Sequence, residues 1–197
     1  MKMSDKKFKF AEIISTFFGI GNIRWCPGTF GSLATFPLFF LINYLFLRFG
    51  ISCLTYLFIG YMVVLGIIIY LAFWSIDIYI TTNKKDDPSE VVIDEVVGQM
   101  ISYMMSMLLM GYYAVYVLDG LVFNQLISVI SSFIIIVCPF LFFRVFDILK
   151  PGMVGYCDTK MKGAKGVIMD DVIAGIYSGL VVCLMLSALF LGVGCTY

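Results

Sequence analysis

The feature that most constrains this chain is where its charges are missing. Residues 51–76, 96–118, 121–143 and 172–194 contain no Asp, Glu, Lys or Arg. A helix needs about 20 apolar residues to cross the hydrocarbon core of a bilayer, and each of these runs reaches that length. A fifth run, 32–47, is interrupted by Pro37 and falls a little short. Leu, Ile, Phe, Val and Met dominate the runs, which fits helices, and the strict alternation of barrel strands is absent. The expectation is an all-α integral membrane protein with about four or five apolar helices, forming one domain over residues 1–197. The composition agrees: 61% of residues are hydrophobic and 13% charged, about half the charged share of a soluble domain. No short apolar core ending in a small-residue cleavage site opens the chain, so no cleaved signal peptide is expected.

Residues 6–18, KKFKFAEIISTFF, place Phe10, Ile13, Ile14, Phe17 and Phe18 at helical spacing, with Lys6, Lys7, Lys9 and Glu12 largely elsewhere on the wheel. This predicts an amphipathic N-terminal helix within residues 1–18. It could lie on a membrane surface or pack on the protein's own bundle.

If all five runs span, residues 1–31, 77–95 and 144–171 share one side of the membrane. These loops hold 5, 2 and 5 of the 13 Lys and Arg residues, and 12 of the 13 Asp and Glu residues. Basic residues accumulate on cytoplasmic faces, so the polar loops are expected in the cytoplasm. Nearly all the polar chemistry then meets on one face, and the apolar helices become a platform for an interfacial active site.

Several classes are excluded. The net charge is zero, so nothing draws the chain to nucleic acid. There is no histidine, hence no imidazole base, nucleophile or metal ligand. The six cysteines form no C-x-x-C pair and read as small buried hydrophobes. Cys138 and Arg144 stand in C-x5-R spacing, but the residues between are PFLFF, where Pro139 has no N–H to offer a phosphate. Walker A is absent and GIG at 19–21 opens no strand–helix unit, so no nucleotide is expected.

Four stretches could carry chemistry. RWCPGTFGS (24–32) offers Thr29 and Ser32 where the first run begins, with glycines that allow tight turns. A helix N-terminus there could bind phosphate, or Ser32 could simply cap it. DDPSEVVIDEVVGQ (86–99) places Asp94 and Glu95 at the start of an apolar run; Asp86 and Asp87 read as capping acids. FRVFDILKPG (143–152) puts Arg144 and Asp147 on one helix face, with Lys150 before Pro151 ends the helix. YCDTKMKGAKGVIMDD (156–171) carries Asp158, Lys162, Gly163 and Gly166, then Asp170 and Asp171 at the mouth of the last apolar run. Asp94, Glu95, Asp147, Asp170 and Asp171, five carboxylates without a histidine, suit a hard cation such as Mg²⁺, and the neighbouring Arg and Lys residues suit a phosphate. Together they point to metal-assisted phosphoryl transfer or hydrolysis.

PGTFGSLATFP, DDPSEVVIDEVVG, FRVFDILKPG and GAKGVIMDDVIAG resemble, in order and separation, the four motif blocks of the phosphatidylglycerophosphatase A family. The resemblance covers about residues 19 to 180. It implies an all-α, Mg²⁺-dependent lipid phosphatase of the bacterial inner membrane that hydrolyses phosphatidylglycerophosphate to phosphatidylglycerol and phosphate. It implies Asp94, Glu95, Asp147, Asp170 and Asp171 as catalytic and metal-site residues. Thr29, Ser32, Arg144, Lys150, Asp158, Lys162, Gly163 and Gly166 are then expected to bind substrate. A water nucleophile with a carboxylate base and an aspartyl-phosphate intermediate both remain open. The chain departs from the family pattern at Ala164, commonly glycine, and at Thr159, commonly arginine. Two rival expectations are a CDP-alcohol phosphotransferase, whose D-G-x-x-A-R signature is missing, and a small cation transporter. No protein partner is legible.

Overall fold

The structure, a computed structural model, describes residues 5–85, 88–113 and 125–194, apart from the side chains of 125–128 and 191–194. Asp86, Asp87 and Asp119 lie outside the described residues. Seven helices are described: α1 (Asp5–Ser15), α2 (Pro27–Arg48), α3 (Leu54–Asn83), α4 (Ile93–Tyr112), α5 (Gln125–Leu149), α6 (Met153–Lys160) and α7 (Ala164–Gly194). A short 3-10 turn, Ile20–Asn22, precedes α2.

Helix α1 packs on the bundle. Phe8 stacks on Tyr79 with ring centres 6.0 Å apart, and Phe10 meets Trp74 edge-on at 5.8 Å. The helix is shorter than its sequence pattern predicts. Thr16 turns its hydroxyl onto the Glu12 carbonyl and accepts from the Gly19 N–H, and Phe17 and Phe18 take left-handed φ values. Its inward face is therefore Phe8, Ala11, Ile14 and Ser15, while Phe10, Ile13 and Phe18 are exposed.

Four described helices are long and apolar enough to cross a membrane: Pro27–Arg48, Leu54–Asn83, Val129–Leu149 and Ala164–Phe190. The short run 32–47 gains its length at the front. Cys26 turns through a left-handed φ of 48° and Pro27 takes the first helical position, where its fixed φ fits and its missing N–H costs nothing. Ser32 therefore lies inside α2 and caps nothing. Helix α3 continues past the expected boundary at Ile76 to Asn83, about 45 Å in all.

Helix α4 is not among those four. Ile93, Asp94, Val96 through Met104 and Ser106 are all buried, which makes α4 the central post of the bundle. It is packed by α7, α5, α3 and α2. Small residues allow the close approach: a Cβ on Gly98 would lie 2.4 Å from the Asp171 carbonyl oxygen, and one on Gly175 would lie 2.2 Å from that of Gly98. Below this contact the Ser102 and Ser178 hydroxyls bond at 2.7 Å, and Ser178 donates to the Pro139 carbonyl at 3.0 Å, joining α4, α7 and α5.

The N-terminal ends of α2, α4 and α7 and the C-terminal ends of α3 and α5 thus converge at one end of the bundle. The Val92 N–H bonds to the Ser15 carbonyl at 2.9 Å and anchors α1 at that same end. Elsewhere α2 and α3 turn Phe40, Leu41, Leu47, Phe58, Ile59 and Val63 outward. So broad an apolar surface belongs in lipid.

Candidate active site

Each carboxylate in the converging ends is placed by its own backbone. Asp94 and Glu95 lie in the first turn of α4, where the helix dipole favours negative charge. Asp170 and Asp171 do not open the last helix as the sequence suggested. α7 begins at Ala164, so they lie more than a turn inside it, next to the Gly98 contact. Asp147 comes from the last turns of α5, and Asp158 from α6.

These ends enclose a cleft of about 580 Å³. Of the residues singled out by sequence, Thr29, Asp94, Glu95, Arg144, Asp147, Lys150, Asp158, Lys162, Gly163, Gly166, Asp170 and Asp171 line it. Ser32 does not. It is fully buried behind the wall, donates to the Gly28 carbonyl at 2.9 Å and accepts from Arg144 Nη1 at 3.4 Å. Its position orients the arginine.

The two basic residues of α5's end are already partnered. Arg144 Nη1 lies 2.7 Å from Asp147. Lys150 Nζ bonds Asp158 and, at 3.0 Å, Asp170, whose other oxygen accepts the Asp171 N–H at 3.0 Å. Each cation keeps capacity for a ligand. Arg144 Nε is buried without a partner, and an ammonium group has three donors, of which Lys150 uses two here. Burial works against the Lys150 charge, but Asp158 and Asp170 outweigh it and raise its pKa.

That leaves Asp94, Glu95 and Asp171. Each offers an oxygen, and these oxygens lie within 4.8 Å of one another. Asp94 Oδ1, Glu95 Oε2 and Asp171 Oδ1 are buried with no hydrogen-bond partner. Unpaired buried carboxylates are costly, and an opposite charge among them removes the cost. Burial first, then the charges of Glu95 and Asp171, push the Asp94 carboxyl well above the usual range. Burial, reinforced by Asp147 and opposed by a hydrogen bond with Asp94 and by Arg144, lifts Glu95 to about 7. Among the described residues the cleft lining holds six carboxylates against Arg144, Lys150 and Lys162. Three converging carboxylates, each with a buried oxygen that lacks a hydrogen-bond partner, fit a hard divalent cation in this acid-rich cleft.

The glycines divide by role. A Cβ on Gly28 would lie 2.1 Å from Glu95 Oε1, so α2 can approach the carboxylates only through glycine. Gly163 has a φ of +68° and open space around its Cα. Gly166 is packed on the Met161 carbonyl, where a Cβ would come within 2.5 Å. Ala164, by contrast, starts a helix with no left-handed φ, so the missing family glycine costs no strain. Thr159, where the family commonly has arginine, lines the cleft and donates to the Gly155 carbonyl at 2.8 Å.

Sequence reasoning missed Gln99. It is fully buried one turn after Glu95, and neither polar end of its amide has a partner. The available signal was a lone amide in an apolar run, four residues from a candidate ligand.

Fold and site define a class of protein: a helical membrane enzyme whose polar groups are gathered into one acid-rich cleft beside arginine and lysine. Its relatives make that class a phosphatase acting on phosphate monoesters. The chain belongs to the phosphatidylglycerophosphatase A family, whose model matches residues 13–186. It is 27% identical to phosphatidylglycerophosphatase A of Escherichia coli over 85% of this chain and 78% of that one. It is 30% identical to phosphatidylglycerophosphatase A of Haemophilus influenzae, over 87% of this chain and 85% of the relative. A protein of Bacteroides thetaiotaomicron named "Putative phosphatidylinositol-3-phosphatase" is 29% identical over 86% of this chain and 89% of its own length. No solved structure matches the chain. The family sets aside the phosphotransferase and transporter expectations.

Proposed function

We propose that this protein hydrolyses phosphatidylglycerophosphate to phosphatidylglycerol and phosphate, with Mg²⁺, at the cytoplasmic face of a bacterial inner membrane, as a step of phospholipid synthesis. The observation that carries this reading is the convergence of the Asp94, Glu95 and Asp171 carboxylates, each with a buried oxygen lacking a partner, beside Arg144 and Lys150 at one end of an apolar bundle. Asp94, Glu95 and Asp171 would hold the cation. When bound, it supplies Lewis-acid stabilisation of charge on the phosphoryl oxygens.

The chain's own residues do the rest. Arg144 and Lys150 keep donors free for the phosphate and are held in place by Asp147, Asp158 and Asp170. Thr29 lines the cleft from the first turn of α2. A carboxylate of the cleft would take the proton from an attacking water. An end-of-bundle cleft lets a lipid present its head group while its acyl chains stay in the bilayer.

Phosphate release from phosphatidylglycerophosphate, measured with Mg²⁺, then with EDTA, then with Mg²⁺ restored, tests the reading. Turnover that survives EDTA would overturn the metal requirement, and absent turnover with Mg²⁺ would overturn the substrate. The name of the Bacteroides relative makes phosphatidylinositol 3-phosphate the competing substrate to assay alongside.

A further inference from the structure

A second cleft of about 620 Å³ adjoins the first and shares Lys162 and Gly163 with it. Lys7 of α1, Lys162 and Lys165 border it, and Tyr70, Phe73 and Trp74 of α3 form its apolar wall. None of the three lysines has an ion-pair partner among the described residues. Among the described residues Asp77 is the only acid in the lining, against three lysines, so this lining carries an excess of positive charge, opposite in sign to the acid-rich cleft beside it. The N-terminus of the 31-residue α7 opens onto it through Ala164 and Lys165, adding the positive end of a helix dipole.

The groove also leads somewhere. Trp74, Tyr70, Ile67 and Val63 recur at helical spacing along one face of α3, and Tyr70, Ile67 and Val63 are exposed by 68%, 54% and 57%. A ligand whose anionic group sits among the lysines would find an apolar track running down the lipid-facing side of the helix. Free phosphate has no use for that track; a lipid does.

We infer that this groove binds the anionic phosphodiester of the same lipid whose terminal monoester enters the carboxylate cleft. Lys7 and Lys165 contact the diester, Lys162 lies between the two phosphate groups, and the acyl chains descend along α3. The groove selects for a second phosphate, and so for a lipid substrate over a simple phosphate monoester. That the two phosphates belong to one substrate rests on the function proposed above; the binding of the diester does not.

Phosphatidylglycerol tests the groove by itself, because it has the diester and no monoester. The chain has two tryptophans, so Trp25→Phe leaves Trp74 as the sole reporter in the wall. Phosphatidylglycerol with brominated chains, titrated into the purified protein in detergent micelles, should quench Trp74. Half-quenching should come at a mole fraction roughly tenfold lower than for brominated phosphatidylcholine, whose choline cancels the charge. Lys7→Ala with Lys165→Ala should abolish that preference, Lys7→Arg with Lys165→Arg should restore it, and millimolar inorganic phosphate should leave it unchanged. The Ala pair should also raise the KM for phosphatidylglycerophosphate about tenfold with little change in kcat. Equal quenching by the two lipids, preference retained in the Ala pair, or displacement by inorganic phosphate would overturn the inference. A wild-type protein that shows the preference but releases no phosphate from phosphatidylglycerophosphate would retire the substrate and leave the groove standing.

Discussion

Helices α3 and α4 run side by side and could hardly be used more differently. α3 is long and apolar over most of its length, yet only Tyr61, Ala72, Ser75, Ile76 and Tyr79 are buried inside the protein. α4 carries two acids, a glutamine and two serines, and almost every residue from Ile93 to Met104 is buried. In a water-soluble fold the assignment would be reversed. Here the surroundings are lipid, so apolar side chains gain nothing by hiding, and polar groups must find partners inside. The polar helix therefore becomes the core, and its carboxylates open into the cleft.

That contrast can be broken deliberately. The largest effect is expected at the carboxylates. Asp171→Asn should lower phosphate release by at least about 10³-fold while the protein still inserts and folds, because it removes charge from the proposed cation site without changing shape. Near wild-type turnover would remove Asp171 from the site.

Next is the α4–α7 contact. Gly98→Ala places a Cβ against the Asp171 backbone, which should cost about 1–3 kcal/mol in unfolding from detergent. It should also slow turnover by about 10²-fold through displacement of the carboxylate. A variant with unchanged stability and activity would show that the helices have slack.

The pH dependence is smaller and has a defined sign. Glu95 rises from its ordinary 4.5 to about 7, so the folded protein holds this proton more tightly than the unfolded chain. The resulting stabilisation of the cation-free protein is complete below about 4.5 and is lost as pH rises through about 7. Melting temperature without divalent cations should fall across that window, and Mg²⁺ should restore it at the alkaline end. A cation-free melting temperature that rises with pH there would contradict the burial of an unpaired acid.

The smallest effect should come from the lipid-facing helix. Ile67→Ala on α3 should change stability by less than about 0.5 kcal/mol and leave turnover of a soluble monoester intact. A loss comparable to that of Gly98→Ala would mean that α3's outer face is packed by protein.

The charge-free runs made the helical membrane fold legible, since charge is costly in a bilayer wherever it falls. The cleft was partly legible for the same reason: acids beside apolar runs need a partner. The sequence could not say which acids have one. Asp147 and Asp170 look like Asp94 and Asp171 in a string of letters, and only the packing shows that Arg144 and Lys150 neutralise the first two. Helix ends were misread where backbone and side chain override pattern. Pro37 suggested a short helix, but Cys26 and Pro27 start it early; Thr16 stops α1 before its apolar stripe ends. Ser32 read as a ligand because its distance from Arg144 spans 112 positions of chain. Hydropathy marked 96–118 as one more apolar span and could not show that its helix, α4, is buried at the centre of the bundle.

The central claim is that Asp94, Glu95 and Asp171 hold a divalent cation while Asp147 and Asp170 hold the basic residues. Electron paramagnetic resonance of Mn²⁺ binding to the purified protein, compared across single Asp→Asn variants, separates the two groups. The expected result is a tight Mn²⁺ site in the wild type that is lost in Asp94→Asn and Asp171→Asn and persists, at weaker affinity, in Asp147→Asn and Asp170→Asn. Undiminished Mn²⁺ binding in both Asp94→Asn and Asp171→Asn would contradict it.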